Sequence, residues 1–228
     1  MRRIGQISAM LVLAFFSYLM IRLTLQYRVM QGDVGFLHVK RHAYHIGYWR
    51  ASFYTHVFTS CLVLIAGFTQ FSSWLLRRRP VVHRIMGWIY LVIVIIISGP
   101  AAFVMALYAN GGWMGRISFT LLAGIWWIVT FLAGYYVIRR QFARHGACMI
   151  LSYALTLSAI TLRAYTWLAH MTHLPINARD LYVLVAWLSW VPNLVVAIIL
   201  IETSKRLSFR TSHLPQSGIP LAAQRSDV

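Results

Sequence analysis

Acidic side chains are almost missing from this chain. Asp33, Asp180, Glu202 and Asp227 are the only four in 228 residues, against 21 lysines and arginines. Each falls in a loop, at the end of an apolar run or in the tail, so a proton pathway built on membrane carboxylates has no residues to carry it. Paired-carboxylate hydrolysis and a zinc site with a glutamate general base are disfavoured within the apolar segments for the same reason. Cysteine is scarce too. Cys61 and Cys148 both lie in runs that read as helices, so no structural disulfide is expected. Gly111 and Gly112 make a short turn with no P-loop lysine behind them, which leaves no convincing nucleotide-binding glycine motif. There is no obvious internal repeat and no second domain.

What the chain has in quantity is apolar sequence, 60% of its residues. Six runs approach the length of about 20 residues that crosses a bilayer: Ile7 to Thr24, Phe53 to Leu76, Ile85 to Tyr108, Ile117 to Ile138, Ala147 to Ala169, and Leu181 to Ile201. Backbone groups in lipid must satisfy one another, and these runs show no strand alternation, so they read as helices and not as a barrel. The expected fold is all-α, one six-helix integral membrane bundle spanning residues 1–203, with a disordered cytoplasmic tail over 204–228. Arg2 and Arg3 before the first run resemble a signal sequence, but the run is long and no small-residue cleavage site clearly follows, so a retained first helix is expected.

The formal net charge of +17 is distributed with a pattern. Arg2 and Arg3, then Arg77, Arg78, Arg79 and Arg84, then Arg139, Arg140 and Arg144, then Lys205, Arg206, Arg210 and Arg225 all fall on one side of an even-numbered bundle. The positive-inside rule therefore places both termini in the cytoplasm, although Lys40 and Arg41 on the other side weaken the asymmetry. Such a basic rim suits the anionic headgroups of a lipid bilayer, and no nucleic-acid partner is expected.

Arg163 lies deep in the fifth run. At about 100° per residue, His145, Ser152, Thr156, Arg163 and His170 fall within roughly 20° of one line on a helix. A charge in lipid costs roughly 2.5 to 3.5 kcal/mol even on the lenient insertion scale, so this stripe is expected to face protein or a cavity. Reckoned at about 1.5 Å per residue, the histidines and Arg163 sort by depth into two groups. His83 and His145 stand at one mouth of the bundle, and His56, Arg163 and His170 lie toward the other, with Gln70 on the His56 side of its helix.

Paired histidines from different helices suit axial ligation of a b-type haem, since neutral imidazole binds iron without a carboxylate and nearby arginines pair the propionates. His83 with His145 would form an inner haem site, flanked by Arg84 and Arg144, and His56 with His170 an outer one. The same histidines also suit helix capping, carbonyl hydrogen bonds or headgroup contact. His38, His42 and His45, at offsets of four and seven, would share one face of a short helix with a spacing that holds zinc or copper. FLHVKRHAYHIGYW also reads as an amphipathic helix lying on the membrane surface. In the sixth run, Pro192 interrupts the helix and Asn193 requires a partner, either a neighbouring helix or a bound ligand.

The runs FYTHVFTSCLVLIAGFTQFS, PVVHRIMGWIY, GPAAFVMALYANGG, SYALTLSAITLRAY and AWLSWVPNL resemble the bacterial predicted membrane proteins grouped as domain of unknown function twenty-three-oh-six. The resemblance covers Phe36 to Ile201. It implies that His56, Gln70, His83, Arg84, Gly87, Tyr90, His145, Ser152, Tyr153, Arg163 and Asn193 are characteristic positions, and that the protein sits in a bacterial cytoplasmic membrane. The chain departs from the pattern at Trp88, Leu151 and Ile198. A more distant architectural resemblance links it to b-type cytochromes of the cytochrome b561 kind. That implies haem b and electron transfer between a quinol, the reduced form of a membrane quinone, and a redox partner. Two other functions are compatible with the residues: a transporter or lipid- or anion-binding bundle using Arg163 and Asn193, and an accessory or assembly subunit of a membrane complex without chemistry of its own.

Overall fold

The computed structural model describes residues 2–173 and 175–212, and every regular element among them is helical. We name six long helices: α1, Arg2–Leu25, then α2, Gly47–Gln70, α3, Pro80–Leu107, α4, Gly112–Ile138, α5, Phe142–Met171, and α6, Ala178–Lys205. The last five are long and apolar enough to cross a membrane. The first has 24 residues but is not one of those five, so the expected sixth span is not established. The final helix continues to Ser212, past the boundary expected at 203. The remainder of the expected disordered tail lies outside the described residues.

Local chemistry explains where the helices start and stop. The run Phe53 to Leu76 does not form one helix, because the polar stretch at Gln70 to Ser73 closes α2. Ser72 then caps a short helix by accepting from the Leu75 amide at 3.2 Å. Pro80 opens α3 at a position where its missing N–H costs nothing. Gly111 and Gly112, at φ 81° and 71°, occupy the left-handed region that the turn from α3 into α4 requires.

Inside α3 the helix changes winding over Ile93–Ser98. There the amide of Gly99 reaches back five residues to the Val94 carbonyl, which is π winding, and the next amide in that frame would be that of Pro100. Proline has no N–H to give. Trp127 of α4 supplies the missing donor instead, its indole Nε1 donating to the Ile95 carbonyl at 2.7 Å.

Helices α2 to α5 pack around a common core of Val63, Leu64, Tyr90, Leu91, Val94, Trp126, Ala133, Tyr153 and Leu155. Gly67 permits the closest approach in it. A Cβ there would stand 2.5 Å from the Tyr153 ring and 2.9 Å from the Tyr90 ring. Helix α6 lies against α4 and α5, and α1 against α2 and α5.

The segment between α1 and α2 is not a helix lying on the membrane surface, as its amphipathic pattern suggests. It folds over one end of the bundle as a cap. Leu37 is fully buried there beside Tyr27, Ala43, Trp49 and Phe53. Lys40 is buried as well, and its ammonium donates to the Tyr108 carbonyl at the end of α3. Burial, with Arg116 nearby as the second cause, lowers its pKa from the ordinary 10.5 to about 8. The unfolded chain holds this proton up to the ordinary value and the folded chain releases it near 8. Between those limits the unfolded state binds more protons, so stability rises with pH. From pH 8 to 9.5, below most tyrosine titration, the rise is expected to be at most about 2 kcal/mol. Melting curves in detergent check this: the wild type gains stability across that window, and Lys40→Met abolishes the gain.

Candidate functional site

Two polar centres lie within the bundle, at different depths. The deeper of the two begins with the π turn. Ser98, its last residue, presents both its carbonyl and its hydroxyl to His56 of α2, at 3.2 and 3.0 Å from Nδ1. Ser60, one turn along α2, donates to the His56 carbonyl at 2.5 Å and lies 3.3 Å from Nε2. The edge of Trp126 closes one side, its ring centroid 6.3 Å from that of His56. π turns concentrate at functional positions, and this one aims a backbone acceptor at a half-buried imidazole.

From Trp126 a second hydrogen-bonded set continues across the core. The Trp126 indole donates to Thr156 Oγ1 at 3.0 Å, and the Tyr90 hydroxyl lies 2.8 Å from both Thr156 Oγ1 and Ser152 Oγ. Thr130 completes the ring, 2.6 Å from Ser152 and donating to the Trp126 carbonyl at 2.6 Å. Ser152 and Thr156 therefore belong to a satisfied network that ties α3, α4 and α5 together. Ser98, Trp126 and Thr130 were not candidates by sequence. The one signal for Ser98 was its place immediately before Gly99 and Pro100.

The other centre sits at the basic end. His83 and His145 each occupy the fourth residue of their helices, α3 and α5, and lie close enough to interact electrostatically. Both are half-buried. Nδ1 of His145 is 2.9 Å from the Ala133 carbonyl of α4, a bond in which Nδ1 donates and which leaves Nε2 free of that contact. Nδ1 of His83 is buried and has no partner among the described residues. Arg84 is exposed, and Arg144 donates to Gln141 at 3.0 Å while lying over the Tyr136 ring.

The remaining expected residues separate. His170 is exposed at the penultimate position of α5 and makes no hydrogen bond or ring contact with His56. The stripe from His145 to His170 assumed one uninterrupted helix, but α5 breaks at Leu157. Gln70 donates to Thr69 Oγ1 at 3.2 Å, and its Oε1 would lie 3.1 Å from a Cβ on Gly87. Asn193 is engaged in packing through its amide nitrogen. Its amide reaches the carbonyls of Ala154 and Ser189 and Oγ1 of Thr161, each at 3.2 Å, where Pro192 has interrupted α6. His38, His42 and His45 are all exposed and straddle a 3-10 turn, Gly35–Lys40, and a four-residue helix, Arg41–Tyr44, so the single shared face their spacing assumed does not form. His38 Nδ1 pairs with Arg41 at 3.4 Å. Among the described residues no three of His, Cys, Asp and Glu gather as a metal site.

No curated protein and no solved structure matches the chain, so the likeness to b561-type cytochromes finds no support from either. The family described as "Predicted membrane protein (DUF2306)" matches residues 53–201, which takes in most of α2, all of α3 to α5 and most of α6, with both polar centres. The chain belongs to that family of predicted membrane proteins.

Proposed function

We propose that this membrane protein carries electrons through one b-type haem held by His83 and His145. A single observation carries the reading: two half-buried imidazoles, one from α3 and one from α5, stand within electrostatic reach of each other at one end of the bundle. The donor set fits a haem. His145 is oriented by the Ala133 carbonyl in the way a ligating histidine usually is, and the orphaned Nδ1 of His83 has no competing protein partner. The starts of two helices, with Arg84 and Arg144 in the following and preceding positions, favour carboxylates such as propionates. When bound, haem supplies one-electron chemistry. The protein's part would be to present the two imidazoles from the starts of two helices.

An outer haem is not part of this reading, because His56 lacks a second histidine and spends its ring nitrogens on Ser98 and Ser60. The chain spends nearly all its described length on the bundle, so a donor dissolved in the bilayer, a quinol, suits it. The arginine-rich turns favour an orientation with that end in the cytoplasm, in a bacterial cytoplasmic membrane. The test is the haem content of protein purified from haem-replete cells, read as the pyridine haemochrome. One haem b per chain is expected, and folded protein with none would overturn the reading.

A further inference from the structure

We propose that Arg163, with His56 in its electrostatic reach, binds one oxyanion group where α5 packs beside α1 and α2. The group is a phosphate or carboxylate, either the acidic head of a membrane amphiphile or a free anion of the same chemistry. Arg163 lies eight residues before the end of α5, at about 12 Å depth for a helical rise of 1.5 Å. It is half-buried, and its only hydrogen bond among the described residues runs from Nη1 to the Ala159 carbonyl of its own helix, at 2.8 Å. A guanidinium has five N–H donors arranged as a planar fork that matches the oxygens of phosphate or carboxylate.

No carboxylate among the described residues is paired with this cation. Glu202 pairs with Lys205, and Asp33 and Asp180 are exposed in other segments. The groups within its electrostatic reach come from the end of α1 and from α2: Tyr27 just after α1, and Cys61 and His56 from α2. They form a polar and uncharged wall. Cys61 lies 3.2 Å from Thr24 Oγ1, and His56 is fixed by Ser98 and Ser60. Tyr27 belongs to the packed cap that closes this end of the bundle. An arginine within an apolar span normally has an anionic partner, and here the described residues provide the cation, the polar wall and the cover but not the anion. The site lies at the opposite end of α5 from His145, so a protein without haem would leave this proposal untouched.

Native mass spectrometry of the full chain released from nanodiscs of phosphatidylglycerol and phosphatidylcholine tests it. One phosphatidylglycerol is expected to stay on the wild type under activation that strips phosphatidylcholine. Arg163→Gln is expected to lower that occupancy at least tenfold, and Arg78→Gln, at the basic end, to leave it unchanged. Arg163→Lys keeps the charge without the fork and is expected to fall between them. In nanodiscs of phosphatidylcholine alone, a rise in wild-type melting temperature with inorganic phosphate, absent in Arg163→Gln, would assign the site to a free anion. A wild type showing neither retention nor the phosphate effect overturns the proposal even if the variants do not fold. Equal lipid retention by wild type and Arg163→Gln overturns it as well.

Discussion

Alanine at either His83 or His145 is expected to remove the low-spin haem signal of the purified protein, whereas alanine at His56 leaves that signal in place. On the proposed reading each of the two residues would hold the haem iron, so losing either would leave the iron short of a ligand. Disturbing only the groups that orient a ligand typically costs roughly 10–100-fold in metal affinity, and deleting the ligand itself is expected to cost at least as much. Low-temperature electron paramagnetic resonance separates the outcomes. A conversion to high-spin or haem-free protein in both single variants supports the pair. Retention of the low-spin signal in either one excludes that residue as a ligand. His56→Ala is the internal control, because its ring is engaged with Ser98 and Ser60 in the other polar centre.

Gly99→Ala is expected to be among the most destabilising single-methyl additions in the chain. A Cβ at this position would stand 2.4 Å from the Val94 carbonyl oxygen and 2.8 Å from Cδ1 of Trp127. The first of these is backbone in the same π turn, so it cannot swing aside like the tip of a side chain. Relieving the clash means unwinding the turn or moving Trp127, and Trp127 supplies the donor that Pro100 cannot. Overpacking costs about 1–3 kcal/mol, and the loss of a satisfied carbonyl in an apolar setting places this variant at the upper end. The expected result is a melting temperature several degrees lower in detergent, with the Ser98 to His56 contact disturbed. Gly124→Ala provides the comparison, since a Cβ there meets nothing within 4 Å. If the two variants melt together, the π turn is not under the constraint inferred for it.

The helices were legible because continuous apolar sequence has few other uses in a chain of this composition. Their interruptions were legible only where a single residue type forces them, as Pro80, Pro192 and the paired Gly111 and Gly112 do. The π turn was not, because its cause is split between Pro100 and a tryptophan on another helix. Lys40 misled for a related reason. A lysine in an aromatic and basic segment looks like a membrane-surface residue, and only the carbonyl of Tyr108, 68 residues away, shows why it is buried. The depth argument brought His83 and His145 to one end, but periodicity alone carried it too far along α5. The break at Leu157 and the exposure of His170 ended the stripe that an ideal helix would have continued. Asn193 was correctly read as needing partners, yet which partners depended on how α6 lies against α5.

An absorbance spectrum of the full-length protein, purified in detergent from haem-replete cells and recorded before and after dithionite, tests the central claim most directly. The account predicts a Soret band that shifts on reduction and a sharp α-band of a six-coordinate b-type haem. A correctly folded, helical protein with a flat visible spectrum in both states would contradict it.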